Sequence, residues 1–196
     1  MAHREQLLNK IFIAALSFSL FSCGHNKIVV PAVFINTNGN SFVTKQGITY
    51  FNETPFSGWS FSLYENGDTA FKTPYYEGKE NGESRSWYEN KQLQEIRIFK
   101  DGKKVGVHKG WWPDGKQKFE YHFSDDVYEG NVKEWFPSGQ LYKSFNYKNG
   151  QETGMQQQYF KDGRMQLNYD ARDGRNYGLT GVKNCINVKD SIGVER

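Results

Sequence analysis

Six glycines, Gly58, Gly82, Gly106, Gly130, Gly154 and Gly178, recur every 24 residues without an insertion. The positions between them keep step. Leu63, Trp87, Trp111, Trp135 and Tyr159 form one column, and Tyr64, Tyr88, Trp112, Phe136 and Phe160 form the next. A turn column follows with Gly67, Gly115, Gly139 and Gly163, where Lys91 is the exception. Tyr75, Phe99, Phe123 and Tyr147 make a further column, then Gly78, Gly102, Gly150 and Gly174, with Asp126 standing where the middle unit should carry glycine. A sustained period of this length means one supersecondary unit stacked on the next, because no single unit can bury its apolar face alone. The units run 59–82, 83–106, 107–130, 131–154 and 155–178, behind a half unit at 47–58.

Each unit reads as a β-hairpin. "ENGD", "PDGK", "PSGQ" and "KDGR" place glycine where a tight turn requires positive φ, and the flanking residues alternate with period two. In "QKFEYHF" the alternation puts Phe119, Tyr121 and Phe123 on one side and Lys118, Glu120 and His122 on the other. No segment after residue 23 has a sustained helical period. The predicted fold is all-β, an elongated single-sheet meander of stacked antiparallel hairpins. Aromatic residues make up 16% of the chain and must supply most of the core. The paired columns raise a question of faces. Trp87 and Tyr88, Trp111 and Trp112, and Trp135 and Phe136 are sequence neighbours, so a regular strand points them to opposite faces. Either one set is buried and the other forms an exposed stripe, or a bulge turns both inward.

The N-terminus carries a different signal. Arg4 and Lys10 precede "IFIAALSFSLF", Ile11–Phe21, an apolar run too short for a mature membrane span, and the pattern is that of an export signal. The run ends in "LFSC", Leu20 to Cys23, which resembles the bacterial lipobox, with Phe21 departing from the usual small residue. The resemblance implies removal of 1–22 and acylation of Cys23, whose chains hold a protein on a membrane at ~0.8 kcal/mol per buried CH₂. Residues 23–46 then read as a tether with a first strand, 47–178 as the repeats and 179–196 as a C-terminal cap. The expected location is the cell envelope, lipid-anchored and periplasm-facing. A mean hydropathy of -0.78 excludes a polytopic membrane protein.

Catalytic chemistry finds little support. The formal charge is +3 with both signs interspersed, which argues against nucleic acid as a partner. His108 and His122 have no cysteine partner and no metal-ligand spacing, and are expected as solvated or edge residues. No GxSxG, Walker loop or dinucleotide fingerprint occurs. Asp114, Asp125, Asp126 and Asp162 fall in turns, where aspartate commonly bonds its own backbone. Asp125, Asp126 and Glu129 form the one acidic cluster that a Ca²⁺ ion could use, without spaced ligands. Cys185, in "YGLTGVKNCINVKDSIG", reads as a small apolar residue of the cap, with an intermolecular disulfide as the alternative. No cofactor, metal or catalytic residue is expected.

"WYENKQLQEIRIFKDGKKVG", Trp87 to Gly106, resembles the MORN-type repeats, in particular the longer variant of bacterial proteins of the YwqK antitoxin-like group. The resemblance covers about 47–178. It implies a β-hairpin meander used as a binding or scaffold surface and transfers no catalytic residues. The leading expectation is therefore a non-enzymatic, membrane-anchored lipoprotein that binds another cell-envelope protein. Carbohydrate or peptidoglycan binding through an aromatic stripe is the alternative, and an immunity or antitoxin-type scaffold the third. The candidate ligand-binding residues are Tyr88, Trp112, Phe136 and Phe160, and Cys23 is the lipidation site.

Overall fold

The structure, a computed structural model, describes residues 28–181. The segment expected to be an export signal, Cys23, and residues 182–196 of the expected cap with Cys185 lie outside the described residues.

Four short strands come first, β1 (Phe34–Asn36), β2 (Phe42–Lys45), β3 (Ile48–Phe51) and β4 (Thr54–Pro55). The repeats then contribute β5 (Gly58–Leu63), β6 (Thr69–Tyr76) and β7 (Lys79–Glu80), followed by β8 (Gly82–Trp87), β9 (Leu93–Lys100) and β10 (Lys103–Lys104). The same triplet recurs as β11 (Gly106–Trp111), β12 (Gln117–Ser124) and β13 (Val127–Tyr128), and as β14 (Gly130–Trp135), β15 (Leu141–Lys148) and β16 (Gln151–Glu152). It closes with β17 (Gly154–Tyr159), β18 (Met165–Arg172) and β19 (Arg175–Leu179). There is no helix among the described residues, and so none long and apolar enough to cross a membrane. The chain is all-β, as the periodicity predicts.

One large sheet runs in the order β1-β5-β6-β8-β9-β11-β12-β14-β15-β17-β18-β19. The two-residue strands β7, β10, β13 and β16 each pair with the eight-residue strand before them, which the next unit's six-residue strand also joins. Each short strand and its successor thus act as one long strand interrupted at the repeating glycine. All pairings in the meander are antiparallel; the N-terminal edge departs, since β1 adds parallel to β5. The expectation of a single sheet fails at the half unit. Its strand β3 pairs with β2 and β4 in a separate three-stranded sheet and never joins the meander ladder. Phe42, Phe51 and Phe56 from this small sheet and its exit pack together at ring separations of 5.1 to 6.1 Å, and Phe56 reaches Tyr75 at 5.9 Å. Aromatic burial against the first full unit has replaced ladder pairing there.

Two turn types alternate. At the end of each eight-residue strand is a two-residue turn with both residues at positive φ, such as Asp101 (51°) and Gly102 (79°), the geometry whose twist matches the flanking strands. Asp126 adopts φ 71° where the other units use glycine. These turns also bond to each other: the amides of Gly78, Gly102, Asp126 and Gly150 donate to the carbonyls of Phe56, Glu80, Lys104 and Tyr128, 2.7 to 3.0 Å away in the preceding unit. The opposite turns follow the six-residue strands and carry an Asx or Ser residue whose side-chain oxygen accepts from the amide two residues on, at Asn66, Asn90, Asp114, Ser138 and Asp162.

The buried face of the meander is lined by Phe99, Phe119, Val132, Phe145, Tyr169 and Ala171. Ring contacts continue through it, Phe119 on Tyr121 at 4.5 Å, Phe123 on Tyr128 at 4.8 Å and Tyr128 on Tyr147 at 5.1 Å. At Gly110 a Cβ would collide with the Phe119 ring, so the missing side chain is what lets that ring lie on the backbone. The centre of the face holds a polar column that sequence reasoning overlooks: Ser60, Ser84, His108, Val132 and Gln156. His108 is 2% exposed and Gln156 is fully buried. The expectation of a solvated or edge His108 is therefore wrong. It sits on β11 opposite Tyr121, its ring between Phe99 and Phe123. His122 is half-exposed and bonds the Glu120 carboxylate at 3.2 Å.

Candidate functional site

The second aromatic column opens the turn after each six-residue strand. Its backbone amide donates to the residue four positions on, as from Trp112 to Lys116 at 2.8 Å and from Phe136 to Gln140 at 2.9 Å. In three units the side chain then reaches across to the next unit. Tyr64 Oη donates to the Trp87 carbonyl at 2.8 Å, Tyr88 Oη to that of Trp111 at 2.9 Å, and Trp112 Nε1 to that of Trp135 at 3.2 Å. These rings clamp unit to unit. Phe136 and Phe160 occupy the same column without a donor. Phe136 packs on Tyr142 at 4.9 Å, and Phe160 is 43% exposed with the Arg164 guanidinium 5.6 Å from its ring.

A bulge recurs beside the aromatic pair in all five units, between Ser62 and Leu63, Ser86 and Trp87, Gly110 and Trp111, Glu134 and Trp135, and Gln158 and Tyr159. It admits an extra residue on the longer strand, Lys118 in the third unit and Tyr142 in the fourth. The simple alternation that set Lys118 opposite Phe119 fails for this reason: Lys118 lines the same clefts as Phe119 and Tyr121, with its Nζ 4.8 Å from the Trp112 ring centre. Neither aromatic column is wholly buried or wholly exposed at the centre of the sheet. Trp87, Tyr88, Trp111, Trp112, Trp135 and Phe136 are all half-buried.

Of the four candidate ligand residues, Trp112 and Phe136 come together. They line a cleft of about 270 Å³ between the third and fourth units, with Phe119, Glu134, Pro137 and Tyr142. Tyr88 and Phe160 lie one unit to either side and do not line it. Glu134 is the cleft's acidic group. It accepts from Tyr121 Oη at 3.0 Å and pairs with Lys143. Burial, reinforced by the Glu134 charge, holds the Tyr121 phenol well above the ordinary tyrosine range, so it stays a donor. The contributions of Lys118, Tyr142 and Glu134 were not read from sequence; the one available signal was that Lys118 and Tyr142 share a column, whereas Glu134 stands in another, with Gly110.

The carboxylates considered for Ca²⁺ are occupied otherwise. Asp126 Oδ1 accepts from the Lys104 amide at 2.9 Å, Glu129 Oε2 from the Asn149 amide at 2.6 Å, and Asp125 lies 3.8 Å from Lys103. Among the described residues no three His, Cys, Asp or Glu side chains converge as a metal site. Asp114 and Asp162 accept from the amides of Lys116 and Arg164, as turn aspartates are expected to.

Hairpins repeated on a 24-residue period, clamped by side chains and docked through their turns, define a β-hairpin repeat scaffold. The family model of the MORN repeat variant matches at 80–101 and 128–149, two stretches that begin two periods apart, so these units are similar to that repeat. No curated protein matches the chain.

Proposed function

We propose that the chain is a non-enzymatic, membrane-anchored repeat scaffold that binds another cell-envelope protein through the cleft at Trp112 and Phe136. The observation that carries this reading is the change within one column. Three of its rings are spent on joints between units, whereas Phe136 leaves its ring beside Tyr142 and Pro137 in a half-buried recess with a carboxylate at its wall. An aromatic recess with a few polar groups is the form that interface hot spots take. The lipobox-like "LFSC" supports anchoring through Cys23.

A Phe136→Ala/Tyr142→Ala variant tests the site without touching any inter-unit clamp. Affinity capture from cross-linked envelopes is expected to recover a defined protein with the wild type and to lose at least about tenfold of it with the variant, the loss of one aromatic anchor being worth more than 1.4 kcal/mol. Equal recovery by both would refute the cleft as the binding site. A second reading, glycan binding, draws on Trp59 and Trp87, which flank a separate cleft of about 320 Å³ with Lys72, Glu83 and Arg85. Retention of the protein on insoluble polysaccharide, lost with Trp87→Ala and kept with the cleft variant, would favour it.

A further inference from the structure

A second recess of about 270 Å³ lies on the buried face beside the aromatic cleft, sharing Lys118, Phe119 and Tyr121 with it. Three cations line it, Arg97, Lys104 and Lys118, over a floor that includes Phe119, Phe123 and Tyr128. No carboxylate lines it among the described residues.

These cations are departures from the repeat. At the position of Arg97 the other units carry Thr73, Tyr121, Phe145 and Tyr169. At that of Lys104 they carry Glu80, Tyr128 and Glu152, and at that of Lys118 they carry Ala70, Gln94, Tyr142 and Gln166. Three of the five units are therefore built without a cation at any of these places. The three departures fall on β9, β10 and β12, and the topology brings them to one recess. His108, another departure, stands in its wall.

Neither Lys104 nor Lys118 forms an ion pair with a described residue. Each instead lies over a ring, Lys104 5.4 Å from the centre of Phe123 and Lys118 4.8 Å from that of Trp112. Arg97 pairs through Nε with Glu95 at 2.7 Å, which leaves its terminal nitrogens free of that contact. Glu80, in the preceding unit, lies within the field of Arg97 and Lys104. Three cations against Glu80 and Glu95 leave a surplus of one positive charge, the complement of a single carboxylate rather than of a dianion. The recess is smaller than a typical drug-sized pocket, and its apolar floor suits a short or planar body behind the charge.

We propose that this recess is a carboxylate-binding site, in which Arg97, Lys104 and Lys118 hold the carboxylate of a ligand whose apolar or ring portion rests on Phe119, Phe123 and Tyr128. The site stands independently of the protein-partner reading, since acidic side chains and acidic sugars present the same group.

The test uses residues that the repeat itself places in these columns, so that folding is retained: Lys118→Gln, as at Gln94 and Gln166, and Lys104→Glu, as at Glu80 and Glu152. Benzoate is titrated into the full chain and followed by amide NMR shifts, with chloride at equal ionic strength as reference and inorganic phosphate as a competing oxyanion. Saturable shifts confined to β9–β12 with benzoate, absent with chloride, are expected. Lys118→Gln should weaken them roughly tenfold, the usual effect of losing one charge-assisted hydrogen bond, and Lys104→Glu should abolish them. Equal saturation by the variants, no saturation with benzoate, or tighter binding of phosphate would each overturn the assignment. An envelope protein still captured through Phe136 after benzoate binding is lost would show that the two readings fail separately.

Discussion

His108 and Gln156 stand at the same place in their units and perform the same task. The glycine bulge that opens each six-residue strand interrupts the ladder to the long strand before it. His108 Nε2 lies 3.1 Å from the Ile98 amide, from which it accepts, and 2.9 Å from the Ile98 carbonyl. Gln156 bonds both the amide and the carbonyl of Asn146, at 3.0 and 2.9 Å. Ile98 and Asn146 are two periods apart. In the first unit the corresponding residue is Pro74, which has no amide to satisfy, and there the column needs only a serine. His108→Gln should thus keep the bonds and cost less than about 1 kcal/mol, whereas His108→Ala leaves an unpaired amide and a void and should cost ~2–4 kcal/mol in urea unfolding. Burial, with Arg97 and Lys104 nearby, lowers the pKa of His108, so below about pH 6.5 the unfolded chain takes up the proton more readily than the folded one. Its contribution to stability is complete above that pH and is lost as pH falls through the lower folded value. The wild type should lose stability relative to His108→Gln over that window; parallel pH profiles would contradict the assignment. Lys91, at φ 66° where the other units have glycine, makes the opposite case. Its exposed pair with Asp68 contributes little, so Lys91→Gly should stabilise by ~0.5–1 kcal/mol, read as a raised urea midpoint.

At the level of elements, the hairpin and its two turns were legible because glycine and Asx residues recur where positive φ and turn bonds require them. The bulge was one of two alternatives for the aromatic pair, but its extra residue was not legible, since it is Lys118 in one unit and Tyr142 in another, and nothing in residue type marks an insertion into a ladder. Leaving it unplaced put Lys118 on the wrong face and hid the cleft. His108 was misjudged because a histidine is polar by composition, while its burial depends on an amide of another strand, Ile98 on β9, left open where the ladder breaks at the glycine that starts β11. The half unit keeps the turn bond of the repeat, Phe56 accepting from the Gly78 amide, but its strand lies in a separate sheet, where Phe51 packs with Phe42 and Phe56, and nothing in the column of Phe51 signals that change of sheet. The clamps between units make a direct prediction. Tyr88→Phe removes the bond to Trp111 and should cost ~1 kcal/mol, while Phe136→Tyr carries a hydroxyl toward the equivalent carbonyl of Tyr159 and should gain ~0.5–1.5 kcal/mol. A null result for both would mean that the clamps add nothing to the ladder.

For the whole molecule, the aromatic core has a chemical signature. Burial, helped by neighbouring carboxylates, raises the pKa values of Tyr75, Tyr121, Tyr147 and Tyr169. The folded form disfavours phenolate, so stability is retained below about pH 10 and falls as pH rises through the folded values. Phenolate absorbance from this group should therefore appear together with loss of β-sheet circular dichroism; full ionisation with the sheet intact would contradict that coupling. The repeat accounts for nearly all of the sheet, and what it leaves over is concentrated between its second and fourth units, in the Phe136 ring that clamps no neighbouring unit and the three cationic departures beside it. A photoreactive amino acid placed at Phe136, and for comparison at Arg85 in the cleft of the glycan reading, measures this most directly in intact cells. Adducts of one defined protein from position 136 and none from position 85 are the predicted result, and equal labelling from both positions, or adducts to polysaccharide alone, would contradict it.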